Sequence, residues 1–180
     1  FDRRRDAPRL GGFRHRFTTG DDLALLFEGV RRAREAEGSL EAFFVRRDPD
    51  PGAPHLGAAM DAFGGALSGR GTPSARRGAF RLLPRPSDGS ACKRHCLFLR
   101  WMVRPDDGID CGAWTGVSPS RLIVPLDTHM ARLARLLGWT RRATPSWNAA
   151  LDATAALRAL DPADPTRYDF SKVGRLKFNT

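Results

Sequence analysis

The sequence predicts an all-α protein. Apolar residues recur at helical spacing in several segments, and several of these segments begin with an Asp or Ser that can cap a helix. No part of the chain shows convincing alternation of apolar and polar residues, and Gly and Pro separate the helical segments. With 180 residues, 41% of them hydrophobic, the chain is long enough to bury one core or a compact pair of subdomains.

Four helices are predicted in the first half of the chain. Gly38, the Pro- and Asp-rich segment 48–54 and Gly69 separate them. The first helix has two acids in its first turn, Asp21 and Asp22, where they complement the positive end of the helix dipole. The predicted ranges are 21–37, 39–45, 54–67 and 73–83.

Three further helices are predicted in the second half. Ser90, Asp127 and Ser146 are the expected N-caps, and Gly138 ends the second of these helices. The predicted ranges are 91–103, 128–137 and 147–160.

Residues 1–180 are interpreted as one helical domain. The functional segment is placed at 81–138, with packing helices in 1–80 and 139–180. Because the chain starts with Phe1 and not with Met, we allow for a missing N-terminal part of the natural protein. The start of the chain lacks the apolar stretch of a signal peptide, and no run of about 18 apolar residues is present to cross a bilayer. We therefore expect a cytoplasmic protein that does not associate with membranes.

The charge favours a polyanionic partner. Lys and Arg number 30 against 20 Asp and Glu, which gives a formal net charge of +10. Residues 70–104 hold nine basic residues and one acidic residue. Because three prolines and Gly89 interrupt this segment, it does not fit a continuous amphipathic membrane helix. Nucleic acid is therefore the predicted partner.

The three cysteines, Cys92, Cys96 and Cys111, predict neither disulfides nor a metal site. An odd number of cysteines in a chain of intracellular appearance argues against a disulfide framework. Cys-x3-Cys followed by one distant Cys is not a recognised zinc spacing. We expect core thiols, no metal and no cofactor.

Lys93 stands out because this chain uses arginine almost wherever it carries a positive charge. Of its 30 basic residues 27 are Arg, and the other two lysines are Lys172 and Lys177. Arginine keeps its proton in proteins, whereas a neutral lysine amine can form a Schiff base with an aldehyde-level carbon. At the third residue of the predicted helix, the helix dipole and Arg94 would favour the uncharged amine. The alternative is a solvated lysine that contacts a phosphate.

Asp127 follows an apolar run and starts a predicted helix. An ordinary N-cap, worth about 1 kcal/mol, is the simplest role for this residue. The run Val124–Leu126, however, delivers both a carboxylate and, at His129, an imidazole to the same helix start. This combination favours a functional site.

Two strings resemble the helix-hairpin-helix superfamily of DNA glycosylases, most closely the 8-oxoguanine glycosylases. Lys93–Arg100 is similar to the helix that carries the catalytic lysine of bifunctional members. Val124–Met130 is similar to the string that supplies their catalytic aspartate. The resemblance covers residues 81–138 and extends into the closing helices. It implies a helix-hairpin-helix glycosylase-like bundle in which Lys93 and Asp127 are catalytic.

The chain departs from that superfamily in two places. The usual Leu-Pro-Gly-x-Gly hairpin is replaced by Leu83–Ser90, and the 34 residues from Lys93 to Asp127 require the segment 105–120 to loop out. The four-cysteine iron-sulfur loop of other members is absent, so no cluster is implied. The string Leu97–Arg104 also resembles a bacterial family catalogued only as a domain of unknown function, from which no activity is carried over.

The resemblance implies base excision repair of a damaged or modified purine, with 8-oxoguanine as the first candidate. The base is flipped out of the duplex, and Lys93 attacks the sugar carbon to form a Schiff base that permits strand cleavage, an AP lyase activity. Asp127 stabilises the positive charge that develops on the sugar. Backbone N–H groups at the helix start would hold a DNA phosphate, helped by arginines and a histidine. The expected DNA-binding residues are Arg85, Gly89, Ser90, Arg94 and His129.

A flipped base needs a stacking partner, and the candidates are Phe98, Trp101, Trp114, Trp139 and Trp147. Core packing is the simpler role for Phe98 and Trp101, which lie on the predicted helix. Trp114 lies in the predicted loop and is therefore the preferred stacking residue.

Three alternatives stay open at this point. The chain could be a non-catalytic DNA-binding module in which Lys93 contacts a phosphate and Asp127 caps a helix. It could be a monofunctional glycosylase in which Asp127 activates water, or a helical protein that acts on RNA. The preferred interpretation is a monomer that acts on duplex DNA with a damaged or modified base in the bacterial nucleoid.

Overall fold

The computed structural model describes residues 1–69 and 82–168. Within these ranges the protein is mostly helical, and the sheet is a two-stranded antiparallel pair in which Arg14 lies opposite Thr19. The all-α class is therefore confirmed, whereas the helix-hairpin-helix fold stays a prediction. None of the helices in the described ranges combines the length and the apolarity that a membrane span requires.

Seven α-helices and two short strands occur in the described residues. They are α1 (Arg3–Asp6), β1 (Arg14–His15), β2 (Thr18–Thr19), α2 (Gly20–Glu37), α3 (Leu40–Arg46), α4 (Gly57–Leu67), α5 (Lys93–Val103), α6 (Thr128–Leu136) and α7 (Trp147–Leu160). Short 3-10 turns lie at Ala7–Leu10, Pro86–Asp88 and Pro119–Arg121.

The six predicted helices that fall within the described residues are found, five of them with ends shifted by up to three residues. α7 has the predicted bounds and α6 ends one residue early, whereas α4 begins at Gly57 and not at 54. The strands β1 and β2 were not predicted, because two residues are too few to show alternation. Most of the helix predicted over 73–83 lies outside the described residues.

The chain folds as two compact units. The first comprises Phe1–Pro51 and Gly57–Asp88, and the second comprises Gly52–Leu56 and the chain from Gly89 onward. The second unit is thus assembled from two separate stretches of the sequence.

The first unit is built on α2, α3 and α4. The Thr19 hydroxyl oxygen accepts a hydrogen bond from the Asp22 N–H, and the Asp22 carboxylate accepts one from the Thr19 N–H, so a capping box starts α2. α2 and α4 approach closely at Gly29, where a Cβ would lie 2.0 Å from the Leu67 carbonyl oxygen. The buried apolar side chains of this unit include Ala24, Leu25, Ala33, Phe43, Phe44, Ala59, Met60, Phe63 and Leu67.

The second unit places α5, α6 and α7 with the extended segment 122–126, which is buried at every position. Val124 N–H donates to the Thr154 hydroxyl oxygen at 3.1 Å, and that hydroxyl donates to the Ala150 carbonyl oxygen at 2.6 Å. Because Asp127 follows directly, this bond to α7 helps to fix where α6 begins. The buried apolar side chains include Cys96, Leu99, Val103, Leu122, Ile123, Val124, Leu126, Met130, Ala134, Ala149, Ala153 and Leu157.

Two arginines and two aspartates form a buried Arg–Asp cluster at the C-terminal end of α5. The Asp110 carboxylate accepts from Arg100 at 3.5 Å and also from Arg104, and Arg104 Nε donates to Asp164 Oδ2 at 2.7 Å. Arg100 and Asp110 are each only 1% exposed. Burial alone would lower the pKa of Arg104, but Asp164 and Asp110 hold it above its usual value. The cluster joins the loop after α5 and the segment after α7 to the same helix.

We expect Asp110→Asn to lower the free energy of unfolding by about 3–5 kcal/mol, because it removes the negative charge that faces two buried guanidinium groups. Equilibrium unfolding in urea at neutral pH measures this change. Asp106→Asn is the matched control, since it makes the same chemical change on an exposed residue of the same loop, and its effect should stay within about 0.5 kcal/mol. Equal effects of the two variants would show that the cluster does not stabilise the fold.

Candidate active site

Lys93 and Asp127, which the sequence places 34 residues apart, lie in direct contact. Lys93 Nζ is 3.0 Å from Asp127 Oδ2. Solvent reaches both groups, since 48% of the Lys93 side chain and 33% of the Asp127 side chain are exposed. The contact joins the first residue of α5 to the N-cap of α6. An amine and a carboxylate are thus held together at two helix starts.

The two carboxylate oxygens of Asp127 have different partners. Oδ1 accepts from the Met130 N–H at 2.8 Å, which confirms the predicted N-cap, and Oδ2 accepts from Lys93. Burial alone would raise the pKa of Asp127, but the Met130 N–H and the Lys93 ammonium hold it below its usual value. The carboxylate is therefore ionised at neutral pH, and the cap fixes its orientation.

The start of α5 differs from the prediction. Lys93 is the first residue of this helix and not the third, and the prediction that Ser90 is its N-cap is wrong. Cys92 precedes the helix in a left-handed conformation with φ of 50° and ψ of 30°. The Ser90 hydroxyl oxygen accepts from the Cys92 N–H at 3.2 Å, and the Cys92 thiol lies 3.3 Å from the Ser90 carbonyl oxygen, so neither side chain caps α5.

The left-handed Cys92 is stabilised by burial. A residue with a Cβ in this conformation costs about 1–2 kcal/mol relative to a right-handed one. The Cys92 side chain is 1% exposed, and removing such a side chain from water offsets a cost of this size. Strained backbone next to a reactive group is common at functional sites.

The first turn of α5 carries charges that oppose helix stability. Lys93 and Arg94 stand at the positive end of the helix dipole, and the turn contains no acidic residue. Asp127 brings the compensating negative charge from another part of the chain. A helix start with two cations and no side-chain cap is suited to attract an anion such as a phosphate. A local arrangement that disfavours the fold is typical of a functional site.

The other predicted DNA contacts of the second unit lie beside this pair in the sequence. Arg94 and His129 are exposed, and His129 contributes to the lowered pKa of Asp127. Gly89 has a φ of +75°, which favours glycine, and its carbonyl oxygen accepts from the Trp147 N–H at 3.0 Å.

Arg85 belongs to the first unit. Its Nε lies 3.7 Å from an Asp61 carboxylate oxygen and 3.8 Å from one of Asp88, and 21% of the side chain is exposed. Two acids of its own unit therefore already face this guanidinium. Its assignment to a DNA phosphate stays a prediction.

The aromatic candidates are exposed in the opposite order from the one predicted. Trp114, expected to be accessible in its loop, is 7% exposed and packs edge-on against Phe98, with ring centroids 5.5 Å apart. Trp101, expected in the core, is 40% exposed. Trp101 is therefore the candidate most accessible to a base, and the preference for Trp114 is corrected.

In the described part of segment 70–104, less positive charge lies at the surface than the sequence implies. Arg100 and Arg104 belong to the buried Arg–Asp cluster, and Arg85 faces two acids. In the described part of this segment, Lys93 and Arg94 are the basic residues that remain exposed.

No disulfide joins the three cysteines. Cys92 and Cys96 are buried as expected, and burial raises the pKa of the Cys96 thiol. The expectation that Cys111 is a core thiol is wrong, because this residue lies exposed in the loop after α5. Among the described residues no group of three or more His, Cys, Asp or Glu side chains could hold a metal ion.

Sequence reasoning missed the residues that hold the site in place. Thr154 reads as an ordinary helical threonine, and only the fold reveals its bond to the segment before Asp127. For Arg100 a signal existed, since it lies four residues after Cys96 on the buried face of α5.

Comparison with known proteins gives a family. The family described as "Protein of unknown function (DUF2400)" matches residues 1–175. No curated protein and no solved structure matches this chain.

We expect Asp127→Ala to lower the free energy of unfolding by about 1 kcal/mol, because it removes the cap of α6. Asp127→Asn keeps an equally good cap and loses a half-exposed ion pair, so its cost should stay below about 1 kcal/mol. Urea unfolding of both variants measures the difference. An Asn variant that is as unstable as the Ala variant would contradict the capping role of Oδ1.

We expect Lys93→Ala to raise the pKa of Asp127, because it removes a positive charge that favours the ionised carboxylate. A carboxyl NMR titration measures the midpoint. The folded pKa of Asp127 is below its unfolded value, so its contribution to stability is present above the unfolded pKa and is lost as the pH falls through the folded pKa. In Lys93→Ala this loss should occur at a higher pH, and an unchanged midpoint would rule out the coupling.

Proposed function

Because this chain belongs to the DUF2400 family, whose description assigns no activity, we propose a function from its site: it is a DNA glycosylase with AP lyase activity. It excises a damaged or modified purine from duplex DNA, and 8-oxoguanine is the first substrate to test. The observation that carries this proposal is the 3.0 Å contact between Lys93 Nζ and Asp127 Oδ2.

The stability of the fold gives little reason for this contact. Ion pairs with this degree of exposure stabilise proteins by about 0.2–1 kcal/mol. The cap of α6 needs only Oδ1 of Asp127, and the lysine adds a second cation to the positive end of α5. This chain has 27 arginines and three lysines, and the presence of a lysine at this position therefore supports a chemical use of the amine.

In the proposed reaction Lys93 passes one proton through the contact to Asp127, and the neutral amine attacks C1′ of the flipped nucleotide. The bond between C1′ and the base breaks, and the base leaves with the electron pair and takes up the proton from Asp127. The carboxylate, ionised again, stabilises the positive charge that develops on the sugar. The C1′–O4′ bond then breaks, O4′ takes one proton from the attached nitrogen, and a protonated imine remains on Lys93.

The imine makes strand cleavage possible. It acidifies the hydrogen on C2′, and loss of that proton expels the 3′ phosphate by β-elimination. Hydrolysis of the remaining imine returns the free amine of Lys93.

The start of α5 supports a phosphate contact. Its N–H groups have no side-chain cap, and Arg94 and His129 are exposed one and two residues from the reacting pair. Trp101 is the exposed aromatic side chain of α5 and the candidate to contact an extruded base.

A monofunctional glycosylase is the second candidate, and the lowered pKa of Asp127 favours it. An ionised carboxylate at neutral pH can orient water and stabilise a positive sugar without a covalent step. Lys93 would then serve only as a counter-ion.

Borohydride trapping tests the proposal. The wild-type protein should form a covalent adduct with a duplex that contains 8-oxoguanine or an abasic site, and Lys93→Ala should form none, because the borohydride reduces the imine at this lysine. Lys172→Ala is the matched control and should still be trapped. The lyase assignment fails if the wild-type protein forms no adduct or if Lys93→Ala still forms one.

Base release separates the two candidates. If Asp127→Asn abolishes release and Lys93→Ala retains it, the enzyme is monofunctional. If the wild-type protein binds duplex DNA in a salt-dependent manner and releases no base from duplexes with 8-oxoguanine, uracil or alkylated purines, it is a binding module.

A further inference from the structure

α6 and the turn that follows it carry a group of arginines that the proposed reaction does not use. Residues 128–144 contain four arginines and no acidic residue. All four are exposed, and we refer to them as the α6–α7 basic surface: Arg132, Arg135, Arg141 and Arg142.

This surface starts at the candidate active site. His129, Arg132 and Arg135 are three residues apart and lie on one exposed face of α6, which begins directly after Asp127. At about 1.5 Å per residue, Arg132 lies about 7 Å along the helix axis from Asp127, and the turn lies about 14 Å from it. One DNA strand advances about 3.4 Å per nucleotide, so the surface extends over about two to four nucleotides.

Two of the four arginines build the turn. Arg135 donates to the Ala143 carbonyl oxygen, and Arg142 Nε donates to Asp152 Oδ2 at 3.1 Å. The Thr140 hydroxyl donates to the same carboxylate oxygen at 2.7 Å. Arg142 therefore balances the charge of Asp152, and these bonds tie the turn to α7.

The turn borders an open, solvent-accessible cavity of about 450 Å³. Gly138, which has a φ of +72°, ends α6 and lets the chain reverse at this point. The cavity is lined by Gly138, Trp139, Thr140, Arg141, Arg142 and Asp152.

The other two arginines are available to a ligand. Within the described part of the chain, Arg132 and Arg141 make no ion pair with an acidic side chain, whereas Arg104, Arg142 and Arg167 of the same unit each do. Each exposed guanidinium offers five N–H donors in a geometry that matches phosphate oxygens.

We propose that the α6–α7 basic surface binds the phosphodiester backbone of duplex DNA beside the reacting nucleotide, through Arg132 and Arg141. The choice of DNA rests on the proposed function. Met130, Ala131 and Ala134 on the apolar face of α6 are buried and cannot enter lipid, but Leu136 and Leu137 at the end of the helix are exposed, so a membrane surface is one outcome of the test below.

Binding to an undamaged duplex tests this surface without any chemistry. We expect Arg132→Gln and Arg141→Gln each to weaken binding and to reduce the slope of log K against log salt by about 1, and the double variant to reduce it by about 2. The loss should be equal for damaged and undamaged duplexes, because phosphate contacts carry no base information. Fluorescence anisotropy over a range of salt concentrations measures both quantities.

Arg34→Gln is the matched control, since it removes one exposed arginine from α2 in the first unit. The proposal is overturned if the variants at 132 and 141 bind like the wild-type protein, or if Arg34→Gln has the same effect as they do. It is also overturned if anionic phospholipid vesicles or single-stranded RNA bind more tightly than the duplex and only that binding is lost in the double variant.

Failure of this surface and failure of the glycosylase are distinguishable. The double variant keeps Lys93 and Asp127, and the binding assay requires no base release. Duplex binding that depends on Arg132 and Arg141 without any borohydride adduct would retain the surface and reject the lyase. If the double variant still forms the adduct and its duplex binding keeps the wild-type salt dependence, the lyase is retained and the surface is rejected.

Discussion

The second unit depends on the charge balance at one end of α5. Asp110 accepts hydrogen bonds from Arg100 and Arg104, and Arg104 also donates to Asp164. Three parts of the chain are therefore joined by these charged side chains. Losing one charge leaves the others in a low dielectric, where an unbalanced ion is far more unfavourable than at the surface. These ion pairs therefore fix the C-terminal end of α5. Lys93 lies at the N-terminal end, where the first turn has no side-chain cap.

Lys93 and Asp127 were predictable as candidate site residues because their signals are local. A scarce lysine and an aspartate after an apolar run can be read directly from the sequence, and the 3.0 Å contact agrees with both. The start of α5 was not predictable in the same way. Ser90 is a good cap by type, but the burial of Cys92 decides the backbone conformation, and burial depends on residues distant in sequence.

Charge density along the sequence was a poor guide to the surface. Arg100 and Arg104 look like DNA contacts when they are counted with their neighbours, yet they are buried structural ions. Composition gives the amount of positive charge, whereas packing decides which part of it reaches solvent. The same reasoning applies to the aromatic residues. Trp101 lies on a helix and was expected in the core but is exposed, whereas Trp114 lies in a loop and was expected at the surface but is buried.

The short stretch Gly52–Leu56 belongs to the second unit although its neighbours on both sides belong to the first. Leu56 is 1% exposed, its N–H donates to the Arg121 carbonyl oxygen at 3.2 Å, and Arg121 Nε donates to the Ala53 carbonyl oxygen at 2.9 Å. These bonds join residues that are more than 60 positions apart in the sequence, so this unit is complete only after much of the chain has left the ribosome. No single cut in the gene can release it intact, and homologous recombination at one breakpoint would separate α5, α6 and α7 from part of the core of their own unit.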